Sequence, residues 1–508
     1  MIYLQQNSQE YDYDIRAICL AFYERQKIVE VSKEEYENLF VLSKDKPFVR
    51  EEDLGYDVPA DQRGELFMNF QFGEGAVEGT FGDAHGDMVE DKVICDYSDH
   101  VNCRNDVCRF LYRIFSEYSG KTLPWGMLTG IRPTKIMRSW QRETGDSSEV
   151  LEKRFMDTYL ADAQKAHLLT RVAGAENRIL SQKDYGKEYS LYIGIPFCPT
   201  TCLYCSFASY PVERFGQRME EYLQALFKEL DYVAGTYRDR PLTTIYIGGG
   251  TPTALTAELL KRLMDKIHQL FPVEDLVEFT VEAGRPDSIT EAKLRVLKEA
   301  GVSRISINPQ TMHQRTLDLI GRRHTVDQTI EAFHLARELG FDNINMDIIT
   351  GLPGESVKEI RETLEKIAEL KPDCLTVHSL AIKRAAHLNI EMKRYGSLVW
   401  GSTNEMLTMV DDLAKEMGMI PYYMYRQKNI PGNLENIGYC MPGKECYYNI
   451  LIMEEQQDIL ACGAGTSTKY VNTETGHIVR SENVKSLDHY INRVDEMIQR
   501  KVEKRKDV

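Results

Sequence analysis

The sequence predicts an α/β chain organised around a parallel sheet. Three observations carry this. Between residues 185 and 400, six apolar runs alternate with amphipathic stretches of helical period. Parallel neighbours need crossover connections of that length. The alternation also has clear ends: a polar linker, SQKDYGKE (181–188), precedes it, and it stops near residue 400. Periodicity alone leaves open whether the sheet is doubly wound or curled toward a barrel. Either way, the active site belongs at the C-terminal strand ends.

Residues 1–180 read as an α+β domain whose role the sequence does not reveal. Helices are expected over 13–26 and 103–118, the latter with an apolar face of Val107, Phe110, Leu111, Ile114 and Phe115. A strand is expected over 67–72, a Gly/Pro-punctuated loop carrying Trp125 and Arg132 over 123–135, and a helical stretch over 151–180. The alternating region, 185–400, starts with the strand SLYIGIP. The strands TTIYIGGG, LVEFTVEAG, SRISINPQ, NINMDIITG and DCLTVHSLA follow. Helices are expected between them over 217–234, 257–270, 291–299, 327–339 and 356–370. Residues 401–508 read as a small α+β module placed to cover a substrate: a helix over 404–417, the strand PYYMYRQ, a strand–loop–strand in DILACGAGTSTKYV and a terminal helix from 486.

The chain has 508 residues, 43% of them hydrophobic, and a formal net charge of −16. That balance argues against broad binding to nucleic acid or anionic membrane. No apolar run reaches membrane-span length, and the N-terminus lacks signal-peptide character, so a cytoplasmic location is expected. Eleven cysteines in such a compartment point to metal or redox chemistry rather than disulfides.

Three of them lie in GIPFCPTTCLYC, as Cys198, Cys202 and Cys205, directly after the first strand of the alternation. Three thiolates on one loop suit a [4Fe–4S] cluster with one iron left open to a small molecule. Zinc would need a fourth ligand from elsewhere, and buried structural cysteines are the plainer alternative. IYIGGGTPT ends the next strand with glycines that let backbone approach a ligand; no lysine follows, so it is not a phosphate loop. Glu282 ends the third strand, where a solvated carboxylate is common. Asp347 sits between apolar residues and needs a partner. Gln310 and Arg322 add polar groups at or after strand four.

CPTTCLYC is the CxxxCxxC motif of radical S-adenosylmethionine (SAM) enzymes, and the six βα units resemble their partial (β/α)6 barrel. The resemblance implies that SAM chelates the open iron and that reductive cleavage yields a 5′-deoxyadenosyl radical. It also implies a cellular reductant such as flavodoxin or ferredoxin. The order and spacing of YIGIPFCPTTCLYC, GGGTPT, INPQT, GRRH and NMDIITGLPGES resemble oxygen-independent coproporphyrinogen III oxidases. On those motifs Tyr192, Gly249, Gly250, Thr251 and Glu282 match positions that hold SAM at the cluster. Tyr204, Gln310, Arg322, Asp347 and Ala381 match positions that hold a second SAM. LPWGMLTGIRPTK and the form YIGIPFC resemble the HemZ-type branch, and the likeness then spans essentially the whole chain. It implies conversion of two propionates of coproporphyrinogen III to vinyls, giving protoporphyrinogen IX. One position departs: the family carries a histidine implicated in catalysis where this chain has Gly194. His324 and His378 lie near strand ends and are candidates to replace it.

A tetrapyrrole with four carboxylates calls for local cations. Arg384 and Lys383 follow strand six, and Arg426 and Lys428 are interleaved with Tyr422, Tyr423 and Tyr425; Arg384 and Arg426 are the candidate propionate ligands. A solvated basic edge is the alternative. The pairs Cys103/Cys108 and Cys440/Cys446 could hold an accessory metal or simply pack. The loop CGAGTST (462–468) has no assignable role. Beside the dehydrogenase, two other functions remain open: a haem-binding chaperone, and a radical SAM enzyme acting on haem by ring opening with methyl transfer. A tRNA-modifying enzyme is more distant, given the acidic chain.

Overall fold

The structure, a computed structural model, describes residues 1–23, 26–44, 65–130, 132–381, 401–427, 430 and 433–507. The chain forms two compact units. The first is Met1–Thr170 with the described residues of Ile390–Asn404 and Arg426–Glu435. The second is Arg171–Asn389, Glu405–Tyr425 and Asn436–Val508, again as far as described. No helix among the described residues is long and apolar enough to cross a membrane.

The first unit holds a five-stranded sheet: β1 (Ile2–Gln6), β2 (Ile28–Glu30), β3 (Leu66–Gly73), β4 (Ala76–Asp83) and β5 (Met88–Ile94), in the order β2-β1-β3-β4-β5. Alternation in β3 builds two cores. Met68 and Phe70 join the helices Asp12–Phe22 and His100–Ser119 through Ile15, Ile18, Val107 and Phe110, while Phe67 takes the rings of Tyr36 and Phe40 at 5.5 and 5.0 Å. The helical stretch expected over 151–180 is broken. Leu160 ends Ser148–Tyr159 in the left-handed region (φ 57°), and Asp162 accepts from the Lys165 backbone N–H at 2.7 Å to start Ala163–Leu180.

In the second unit the six expected strands are β6 (Tyr189–Ile195), β9 (Leu242–Gly249), β10 (Glu278–Gly284), β11 (Arg304–Ile307), β12 (Ile344–Thr350) and β13 (Cys374–Ser379). They lie side by side in chain order and all run parallel. A short parallel pair, β7 (Phe197–Cys198) and β8 (Tyr210–Pro211), brackets the cysteine loop. Helix starts follow local sequence. The side chains of Thr256 and Thr290 cap Ala257–Leu270 and Glu291–Glu299, and Ser356 with Glu359 forms a capping box on Val357–Leu370.

The C-terminal strands do not stand apart as a module. β14 (Ile420–Arg426) and β15 (Glu435–Cys440) extend one edge of the sheet beyond β13. β16 (Asp458–Cys462), β17 (Ser467–Val471) and β18 (Ile478–Glu482) extend the other beyond β6. The result is an open eleven-stranded sheet, with no barrel closure among the described residues. β16 pairs parallel with β6, Cys462 opposite Ile193. It is thus a seventh parallel strand, and the CGAGTST loop leaves it at the same edge as the cysteine loop.

Candidate active site

Strands buried on both faces usually read as continuous apolar runs. Here one face is polar. In β10, Glu278, Thr280 and Glu282 alternate with Phe279, Val281 and Ala283. Register carries the same parity sideways: Tyr192 lies opposite Tyr246, Tyr246 opposite Thr280, and Thr280 opposite Arg304. Farther along, Ser306 faces Asn345, and Asp347 faces Thr376. The sheet therefore presents a polar floor that ends at the C-terminal strand edge.

At that edge, the glycine loop locks onto the cysteine loop. The backbone N–H groups of Gly250 and Thr251 donate to the carbonyls of Ile195 and Phe197, both at 2.8 Å. A Cβ on Gly250 would lie 2.7 Å from the Phe197 oxygen and 3.0 Å from Cys198 Sγ, so only glycine fits. Thr251 Oγ1 donates to Cys198 Sγ at 3.6 Å. The Cys205 N–H donates to the Cys202 carbonyl at 3.1 Å, and both cysteines lie near enough to Cys198 to oppose its ionisation. Burial pushes the Cys198 thiol up to about 12; a bound cation reverses that cost. Among the described residues no three His, Cys, Asp or Glu side chains converge as a single metal ion requires. A cubane asks for less, because each thiolate meets a different iron, and this loop fits that demand.

Tyr246 Oη donates to Glu282 at 2.6 Å. Burial pushes the Glu282 carboxyl up to about 7, with Asp347 adding to the shift and the Tyr246 hydroxyl opposing it. The rings of Tyr192, Tyr246 and Tyr448 stack beside it, the last two 4.5 Å apart. Burial works against ionisation of Asp347 as well, but His378, 3.9 Å away, and the Asn345 amide at 2.6 Å hold its carboxyl below the usual range. Gln310 is left-handed (φ 68°) and bridges β12: its N–H donates to the Asp347 carbonyl and its carbonyl accepts from Ile349, both at 2.9 Å. Arg322 is buried with its Nε unpartnered. Tyr204 is half-buried near Cys202 and Arg322; desolvation and the cysteine push its hydroxyl up while the arginine opposes them. Ala381 follows β13, partly buried.

The histidine candidates separate. His378 stands beside Asp347, whereas His324 is fully buried, and burial lowers it to about 3, with Arg322 acting the same way and the Pro309 backbone opposing. Burial thus disfavours the protonated form of His324. At Gly194 a Cβ would lie 2.6 Å from Thr466 Cγ2, so the CGAGTST loop fills the space that a side chain there would take.

Arg426 is corrected. It is 3% exposed, and its donors go to the carbonyls of Leu128, Gly130 and Asn433 at 2.7–3.1 Å, over the Trp125 ring. Four of its five N–H donors are spent on backbone carbonyls, so the side chain is committed to the interior rather than to a propionate. Tyr422 and Tyr423 are core residues. Arg384, Lys383 and Lys428 lie outside the described residues. All eleven cysteines are free. Cys103 bonds the Tyr11 hydroxyl and Cys446 bonds Glu278, so both pairs pack. The sequence reading missed Tyr246, Asn345 and Arg285; the period-two polarity of the strands was the signal for the first two.

Residues 192–367 match the Radical SAM superfamily, and that superfamily is the class which the sheet and the cysteine loop define. The oxygen-independent coproporphyrinogen-III oxidase-like protein HemZ of Bacillus subtilis (strain 168) is 41% identical over 405 residues, 78% of this chain and 80% of that one. The chain belongs to this HemZ-type family of radical SAM proteins. It is also 34% identical over 309 residues to the heme chaperone HemW of the same organism, 60% of this chain and 76% of that one. Among solved structures, the Escherichia coli coproporphyrinogen III oxidase HemN superposes with a TM-score of 0.50 at 22% identity, over 64% of this chain and 73% of that one, a likeness of fold.

Proposed function

We propose that the protein oxidatively decarboxylates two propionate side chains of coproporphyrinogen III to vinyl groups, giving protoporphyrinogen IX. The observation that carries this reading is the polar floor ending at a three-cysteine loop, in a chain whose HemZ relative is named as oxidase-like. Cys198, Cys202 and Cys205 would each bind one iron of a [4Fe–4S] cluster. When bound, the cluster and SAM supply a carbon radical that removes hydrogen from the propionate β-carbon.

The chain's own residues bind, orient and exclude water. Gly249, Gly250 and Thr251 offer close backbone approach, and Tyr192 and Glu282 complete the first SAM position. Glu282, its proton held up near neutrality, gains a charge partner when a cationic group arrives. Tyr204, Gln310, Arg322, Asp347 and Ala381 would hold a second SAM: Asp347 is already ionised to accept, and Arg322 has an unspent donor. Each vinyl formed costs the substrate one hydrogen atom, taken by the radical, one CO₂, and one further electron, which must pass to a one-electron acceptor. Electrons for the cluster would come from a cytoplasmic carrier such as flavodoxin or ferredoxin. Arg384 remains a candidate propionate ligand.

A second reading, haem binding without turnover, is favoured by one observation: Gly194, closed off by Thr466, provides no imidazole at the cysteine loop. One anaerobic experiment separates the two. Reconstituted protein is given SAM, a low-potential reductant and either coproporphyrinogen III or haem. Harderoporphyrinogen and protoporphyrinogen formed with 5′-deoxyadenosine support the proposal. Stoichiometric haem with no vinyl product supports the chaperone reading, and S-adenosylhomocysteine formed with haem supports a haem-modifying enzyme.

A further inference from the structure

Arg285 opens the turn after β10 and is 3% exposed. Two of its nitrogens are fixed by a carboxylate: Nε and Nη2 donate to Oδ1 and Oδ2 of Asp287 at 3.0 and 2.7 Å. The third, Nη1, turns to the cysteine loop. It donates to the Thr200 carbonyl at 3.1 Å and to Thr200 Oγ1 at 2.6 Å, and it reaches Cys202 Sγ at 3.7 Å. Thr200 stands two residues before Cys202, so one guanidinium grips the loop and the sulfur together. Cys198 is served differently, by the neutral hydroxyl of Thr251.

We propose that Arg285 is a positioning residue for the iron–sulfur cluster that also sets its reduction potential through Cys202. It rests on the cluster assignment and is independent of the tetrapyrrole substrate. An N–H aimed at a ligating sulfur, and a cation beside it, both stabilise the more anionic reduced cluster and so raise the potential. Asp287 tempers the charge while holding the fork in its plane. The cluster must be reduced before SAM can be cleaved, so this residue governs which electron carriers can drive the protein.

The test uses the full-length protein, reconstituted anaerobically with iron and sulfide. Iron per chain is measured, and the midpoint is then read from a redox titration followed by electron paramagnetic resonance. Arg285→Lys keeps the charge but loses the planar fork; Arg285→Gln loses both. The midpoint should move to more negative potential in Lys and further in Gln, at unchanged iron content. Asp287→Asn keeps the guanidinium and removes the opposing charge, so its midpoint should move the other way. Full iron loading with wild-type midpoints in the Arg285 variants overturns the proposal. An unmoved midpoint in Asp287→Asn overturns it too, including where the Arg285 variants fail to load.

Discussion

Glu282 keeps its proton high on the pH scale because its neighbours deny it water. Gly248 at the end of β9 packs against this side chain, and a Cβ there would come within 2.9 Å of the carboxyl carbon. The ordinary glutamate value of 4.5 rises to about 7 in the folded chain. Between those values the folded state binds more protons than the unfolded one, so stability falls as pH rises through that window and is level above it. Glu282→Gln removes this slope. Above pH 7 the apo-variant should be more stable than the parent by up to about 3 kcal/mol, the gap closing toward pH 4.5. Urea unfolding at pH 5 and pH 8 measures it; equal gaps at both would refute the assignment. Under the proposed SAM contact, the same change removes a charged acceptor, and the KM for SAM should rise by about tenfold or more. Local spacing exposed the three cysteines, but it gave Glu282 no more than a solvated strand end. Its environment is made by register with β9, which no local pattern encodes.

Elements were largely legible because their signals are local. The helices expected over 257–270 and 291–299 appear with those bounds, each started by a threonine cap. All six parallel strands were visible as apolar runs, but not their polar faces. The seventh, β16, lies more than 260 residues from β6 in sequence, too far for periodicity to place. Its loop explains Gly194. Tyr222 Oη donates to the Gly194 carbonyl at 2.5 Å and accepts from the Ala464 N–H at 3.1 Å. Glu229, fully buried and paired with Lys501 at 2.6 Å, accepts from the Gly463 N–H at 2.8 Å. Thr466 cannot retreat, since its hydroxyl donates to the Gly463 carbonyl at 2.8 Å. Gly194→Ala should therefore cost about 1–3 kcal/mol by overpacking. Thr466→Ser removes the offending methyl and keeps the hydroxyl, so the double variant should recover most of the loss. Chemical denaturation of the four proteins gives the coupling; additive losses would show that Thr466 is not the obstacle. Lys501→Ala leaves Glu229 buried without its cation and should cost about 3–5 kcal/mol, read in the same denaturation series.

At the scale of the whole molecule, the first unit is not one stretch of chain. A linear reading places a boundary at the polar segment 181–188, but the unit closes with Arg426–Glu435, which returns to it from far along the sequence. The reason is chemical. Trp125 is fully buried and donates its Nε1–H to Glu435 at 2.6 Å, and the buried Lys165 pairs with the other oxygen of that carboxylate at 2.6 Å. Neither could stay buried without the acceptor. The sheet core is different: its cluster is drawn almost wholly from Ile2 to Phe115, with only Leu123 and Met127 added from the later stretch. A fragment of residues 1–180 should therefore behave as two regions. Residues 1–119 should keep a protected core, while 123–170 should open to protease because Trp125 and Lys165 have lost their partner. Limited proteolysis with mass spectrometry reads the cut sites, and uniform resistance from end to end would refute the dependence. In the full chain Glu435→Ala should cost about 3–5 kcal/mol and shift tryptophan emission to the red as water reaches Trp125. Glu435→Gln keeps an acceptor for the indole but not the charge for Lys165. Its loss should fall between the parent and the alanine variant, which separates the hydrogen bond from the ion pair in joining the two ends of the unit.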